Sequence, residues 1–172
     1  MAITYVDILK TKFIEPFWEI FKDEFNVFLS MDNDYEDRGS EWFNLVADTD
    51  EASETRSNGT HRDYTATLKY YKHFKPERDR DWYNQMTPVA ERMKRLIGNN
   101  SNFFVLGTWV NESGTWGSTT TVWSANRDNY CWHNMKTNID YNPERSELED
   151  MAGKNLAIIE FPITFSISEV YA

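Results

Sequence analysis

The chain has 172 residues with 28 acidic and 18 basic side chains, a formal net charge of −10. That length suits one domain and can bury a core without disulfides, and a single cysteine excludes an internal disulfide framework or a multi-cysteine zinc module. Aromatic residues are 16% of the chain, too many for disorder, and the acidic balance lacks the basic footprint of a general nucleic-acid or anionic-membrane binder.

In chain order, Met1 to Asp7 has no basic region and no long apolar run, so it does not read as a signal peptide. The expected compartment is the cytosol of the producing cell, or a particle assembled there. No stretch approaches the ~20 apolar residues of a membrane span. Thr4 followed by Asp7 predicts a helix start, with Ile3 and Ile8 as a hydrophobic staple. Tyr5, Ile8, Leu9, Phe13, Phe17, Ile20 and Phe21 continue at helical spacing. Pro16 should kink or split this helix near Glu15. Ile14 and Trp18 make the stretch apolar on more than one face, so it either sinks into its own core or meets a second subunit.

Segment 25–31 reads as a short strand, 32–40 as an acidic loop and 42–46 as a second strand. Segment 48–60 is polar, with a turn signal at Asn58-Gly59. Residues 64–71 alternate, with Tyr64, Ala66, Leu68 and Tyr70 on one face of a half-buried strand. Residues 41–74 are thus expected to form an antiparallel hairpin with a long tip. Segment 79–97 is helical through Trp82, Met86, Val89, Met93 and Leu96/Ile97, although Thr87-Pro88 is an alternative start and Gly98 a stop. Strands are expected at 103–110 and 116–124, joined by 111–114, and around 130–139. The closing strand carries Ala157, Ile159, Phe161, Ile163, Phe165 and Ile167 on one face, and Pro162 there suggests an edge or a bulge. The expected class is α+β in one domain, 1–172: an antiparallel, mixed sheet with two helices packed on one face.

Chemical motifs are weak. No nucleophile elbow, phosphate-binding loop or metal-ligand spacing is written in the chain. Cys131 and His133 share a strand face, but a small buried thiol beside a surface imidazole is the plainer reading. Asp32, Asp34 and Glu36 alternate as in a calcium loop, yet Asp37 and Phe43 occupy the positions that need glycine and glutamate. Trp109, Trp116, Trp123 and Trp132 raise the alternative of an aromatic-rich carbohydrate-binding module. No catalytic, metal or cofactor site is expected.

Charge is segregated: residues 1–60 carry −9, 61–98 carry +4 and 99–172 carry −5. Opposed patches either pair within the fold or suit head-to-tail contact between copies.

The order of these elements is similar to a known family. An N-terminal amphipathic helix and an acidic strand–loop–strand precede a returning strand with His61-Arg62-Asp63-Tyr64-Thr65-Ala66-Thr67-Leu68-Lys69-Tyr70-Tyr71. A second helix ends at Ile97-Gly98-Asn99-Asn100, and Ile158-Ile159-Glu160-Phe161-Pro162-Ile163-Thr164-Phe165-Ser166-Ile167 closes the chain. This pattern resembles the tail terminator, or tail completion, proteins of long-tailed bacteriophages and, less specifically, head–tail connector and tail-tube folds. The resemblance implies a structural virion protein without enzymatic activity, in the tail or neck of a particle assembled in the host cytoplasm. It implies a homo-hexameric ring that caps the tail tube, ends its polymerisation and joins it to the head or neck. Its partners would be further copies, the tail-tube protein and a connector or neck protein. DNA would pass through the bore without sequence-specific binding, and no membrane would be involved. A head-closure or neck connector is the nearest alternative. On charge and pattern, Phe13, Ile14, Phe17, Trp18, Lys72, Lys75, Arg78 and Arg80 are the expected subunit contacts. Asp48, Asp50, Glu51 and Glu54 are expected at the bore or an axial partner.

Overall fold

The computed structural model describes residues 7–31, 38–56, 59–73, 79–104, 109–114, 118–123, 130–140, 148–149 and 155–170. The first helix starts at Asp7, whose carboxylate accepts the Lys10 amide at 3.0 Å and so caps one of the open N–H groups. Thr4, the expected start, lies outside the described residues. Near Pro16 the helix divides at Glu15, where the expectation placed the break. A π-helical turn, Lys10–Ile14, runs directly into α1, Glu15–Glu24, with the Glu15 amide bonded to the Lys10 carbonyl. The wider turn lets Pro16 sit in the first turn of α1, where a missing N–H costs little. Phe13, Phe17, Phe21 and Phe25 then recur every four residues, forming one ridge. All four are buried.

Among the described residues one sheet has seven strands: β1 Phe28–Ser30, β2 Glu41–Arg56, β3 Gly59–His73, β4 Phe103–Phe104, β7 Tyr130–Thr137, β8 Leu148–Glu149 and β9 Asn155–Val170. Their order is β1-β2-β3-β9-β7-β4, with β8 also on β9. β1 runs parallel to β2 and the other pairs are antiparallel, so the sheet is mixed. A separate hairpin pairs β5, Trp109–Gly114, with β6, Ser118–Trp123. The turn expected at 111–114 is instead part of β5.

Register aligns the apolar alternations on one face. Phe43 faces Tyr70, which faces Ile159; Leu45, Leu68 and Phe161 form the next row. The ridge of α1 packs on this face: Phe13 stacks on Phe165 with centroids 4.0 Å apart, and Phe21 meets Phe43 edge-on at 5.0 Å. The second helix, α2 (Asp79–Asn99), adds Trp82, Met86, Ala90, Met93 and Ile97 to the same cluster. Both helices therefore cover one face of the sheet, as the α+β reading expects. Pro88 lies inside α2 rather than starting it, and its ring is exposed. The helix stop is made by Asn100, whose side-chain amide donates to the Leu96 carbonyl at 2.8 Å, rather than by Gly98.

Pro162 does not mark an edge, because β9 lies between β3 and β7. Its carbonyl accepts the Asn138 amide at 3.3 Å. In a strand a residue's N and C=O project to the same side. The missing donor thus faces the segment after β7, where Pro162 leaves one bond unmade opposite Asn138 before the Asp140–Glu160 bridge resumes the pairing, and the pairing with β3 at Thr67 is kept.

Candidate assembly surface

The expected long hairpin tip is strand almost throughout, since pairing of β2 with β3 continues to Arg56 opposite Gly59. A 16-residue strand spans about 50 Å, whereas the 21 residues of α2 span about 32 Å. The burial follows this mismatch. Trp42 to Leu45 are buried, but Ala47 to Thr55 are exposed on both faces. β1 pairs with β2 only at Trp42, Phe43 and Asn44. Beyond Asn44 no described strand lies along the outer edge of β2.

Two bulges shape this edge, between Ala47 and Thr49 and between Ala52 and Glu54. Each extra residue spends its side chain on β3. Asp48 accepts the Thr67 hydroxyl at 2.7 Å, and the Ser53 hydroxyl donates to the His61 carbonyl at 3.1 Å. Bulges also sharpen the twist of an edge. Asp50 is paired with Arg62, Nε to Oδ1 at 2.7 Å. Glu51 and Glu54 are exposed. The four acidic residues singled out from the sequence thus come together on one overhanging edge, although Asp48 and Asp50 are also engaged within the hairpin.

The expected subunit contacts are dispersed. Phe13 and Phe17 are fully buried in the chain's own core, so of the two readings of the first helix the internal one holds for them. This is a correction: a ring shut beneath its own sheet offers nothing to a neighbour. Ile14 and Trp18 flank the ridge, half-buried against the same core. Lys72 is turned inward too, bonded to Gln85 of α2 at 3.2 Å and 3.6 Å from Glu41. Arg80 is exposed at the start of α2. Lys75 and Arg78 lie outside the described residues.

The face opposite the helices carries a polar lattice across β2, β3 and β9. Thr49 and Thr65 share a hydrogen bond at 2.6 Å, and Lys69 meets Glu160 at 2.7 Å. The bond to Glu160 is the main reason that the Lys69 ammonium is held above its ordinary pKa. At one end of this face Trp42 stacks on Tyr71 at 5.0 Å, with Leu156 and Ile158 beside them. At the other end His61 Nδ1 lies 3.0 Å from the Ser168 hydroxyl, and Ser166 donates to Asp63 at 2.6 Å. His133 of β7 stands opposite Ser166. Burial, and then the charge of His61, push the His133 pKa below 6.5. Sequence reasoning missed this grouping: residues more than a hundred positions apart meet only through strand register.

Cys131 and Trp132 are both buried in the main core. Trp132 stacks on Phe103 at 4.7 Å and donates its indole N–H to the Asn100 carbonyl at 2.7 Å, which takes it out of the expected set of sugar-stacking indoles. Trp109 and Trp123 stand opposite one another in the β5–β6 hairpin; Trp116 and the acidic loop at 32–37 lie outside the described residues. Among the described residues no group of three or more His, Cys, Asp or Glu side chains is placed to hold a metal ion, and no helix is long and apolar enough to cross a membrane. No family model matches the chain, and no curated protein matches it.

Proposed function

We propose that this chain is a structural assembly protein whose copies join head to tail into a closed ring. In the tail-terminator reading, the ring has six copies, caps a phage tail tube and joins it to the head or neck. The observation that carries the proposal is the edge of β2 from Ala47 to Thr55, exposed on both faces and lined with Asp48, Asp50, Glu51 and Glu54. Pairing two such edges about a twofold axis would set carboxylates against carboxylates, which is unfavourable. A contact with a different surface of the next copy avoids this, and such heterologous contacts form a ring when the rotation between copies closes. Exposed Arg80 and Arg95 on α2 supply opposite charge for it, with Lys94, which also lies 3.8 Å from Glu91. The action is steric: a ring ends tube growth by occupying the next ring's place, and acidic groups toward the bore would keep a DNA backbone from adhering.

The test is a mass measurement on the purified chain, alone and with tail-tube protein. The expected species contains six chains. A monomer under both conditions would overturn the ring. Replacing Glu51 and Glu54 with Lys should weaken assembly while leaving the thermal midpoint nearly unchanged, because exposed sites contribute little to folding; unaltered rings would remove the β2 edge from the contact.

A further inference from the structure

Strand β2 outlasts its outer neighbour. Among the described residues β1 covers its outer edge only at Trp42, Phe43 and Asn44, and the side chains from Ala47 to Thr55 are exposed. Successive residues of a strand send their N–H and C=O groups to opposite sides. Alternate residues therefore bond to β3, and those between them point outward. Among the described residues no backbone bond from Ala47 to Ser53 reaches anything but β3. An open ladder of this kind is a template for a further strand.

The two bulges set the length of that template. Between them Thr49, Asp50, Glu51 and Ala52 pair in unbroken register with Thr65, Tyr64, Asp63 and Arg62. An added strand thus meets a regular run before the edge bends at either end.

Side chains set the character of the added strand. Tyr64 is buried toward the helices, so Asp63 and Glu51 lie on the other face, directly opposite one another. Like charges in that position repel. The second bulge brings Glu54 to the same face, opposite His61. On the helix side Asp50 is already paired with Arg62 at 2.7 Å. Residues 47–55 include Asp48, Asp50, Glu51 and Glu54 but neither Lys nor Arg. Relief for Glu51 has to come from the outer side of β2.

We propose that the β2 edge at Thr49–Ala52 takes up an extended, Lys/Arg-rich segment of a partner protein by strand addition. Cations at alternate positions of the segment share the face of Glu51 and Glu54, and the residues between them, beside Asp50 and Ala52, are small and uncharged. Main-chain bonds hold the segment, and its alternating charge selects it. This rests on the reading of the β2 edge as a contact surface, and not on the ring.

The test titrates a short labelled peptide of alternating Lys and Thr onto the purified chain. A control peptide has the same side chains on an N-methylated backbone, which cannot donate to a ladder. The control should bind at least tenfold more weakly. Glu51→Gln combined with Glu54→Gln should weaken the alternating peptide at least fivefold at an unchanged thermal midpoint. Amide exchange within Thr49–Ala52 should slow on binding, while the β7–β9 pairing keeps its rates. Equal binding of the control, undiminished binding to the variant, or protection elsewhere than this edge would overturn strand addition. Mass is measured on the same samples. Peptide bound to single copies that never form rings would sink the ring and leave strand addition standing. Rings that form while the peptide neither binds nor releases copies would do the reverse, and single copies that ignore the peptide would remove both.

Discussion

Arg92 shows how one residue can fasten two elements. Its Nε donates to the Glu24 carboxylate at 2.9 Å, a second nitrogen reaches the Glu24 carbonyl, and the guanidinium lies 4.6 Å from the Phe25 ring centroid. It closes the end of α1 onto α2, where a Lys would lack the planar fork. Burial separates neighbours on α1 just as sharply. Phe17→Ala should cost about 3–5 kcal/mol in urea unfolding, because the ridge leaves a cavity that cannot collapse. Trp18→Ala, at a half-buried flank, should cost clearly less. Two titrating groups act in opposite senses. His133 is depressed below 6.5, so its contribution is complete above that pH and is lost as pH falls through the lower folded-state value. Denaturant midpoints should fall between about pH 7 and about pH 5, less steeply in His61→Gln. Tyr70, raised by burial and by its bond to Glu41, holds its contribution below pH 10.0 and loses it as pH rises further.

At the scale of elements, proline decides less than its chemistry suggests. Pro16 is absorbed by a π-helical turn, and Pro162 by a pair that keeps the bond from the Asn138 amide to its carbonyl, as the bonds of Glu15 and Asn138 record. Pro88 has no such device beyond the Thr87 hydroxyl, which donates to the Tyr83 carbonyl. Its ring is exposed, so Pro88→Ala restores a backbone donor without disturbing the core. That variant should gain about 1–3 kcal/mol, read as a higher thermal midpoint; no gain would show that α2 carries Pro88 without cost. The overhanging half of β2 is a different case. Its residues have no apolar alternation, so periodicity left 48–60 as a polar stretch. Pairing with β3 makes it a strand, because a backbone ladder forms under any side chains that tolerate extension.

For the whole molecule, charge and layering point outward from the same place. One face of the sheet is closed by two helices, and the other carries paired polar groups. The β2 edge extends beyond the helices as an exposed acidic strip. Isologous edge pairing is disfavoured there, while a head-to-tail contact with exposed cations such as Arg80 and Arg95 is not. The ring proposal belongs to this scale, and the mass measurement with charge reversal at Glu51 and Glu54 tests it.

The amino-acid order alone determined the α+β class, the apolar faces of β3, α2 and β9, and the clustering of acid in β2, because local periodicity encodes which side of an element is shielded from water. Tertiary structure alone decided that Phe13 and Phe17 lie inside, that Lys72 turns toward α2, and that His61 meets Ser168 while His133 meets Ser166. Those outcomes depend on strand register and layer order, which arise from contacts between distant segments and leave no trace in any short window of sequence.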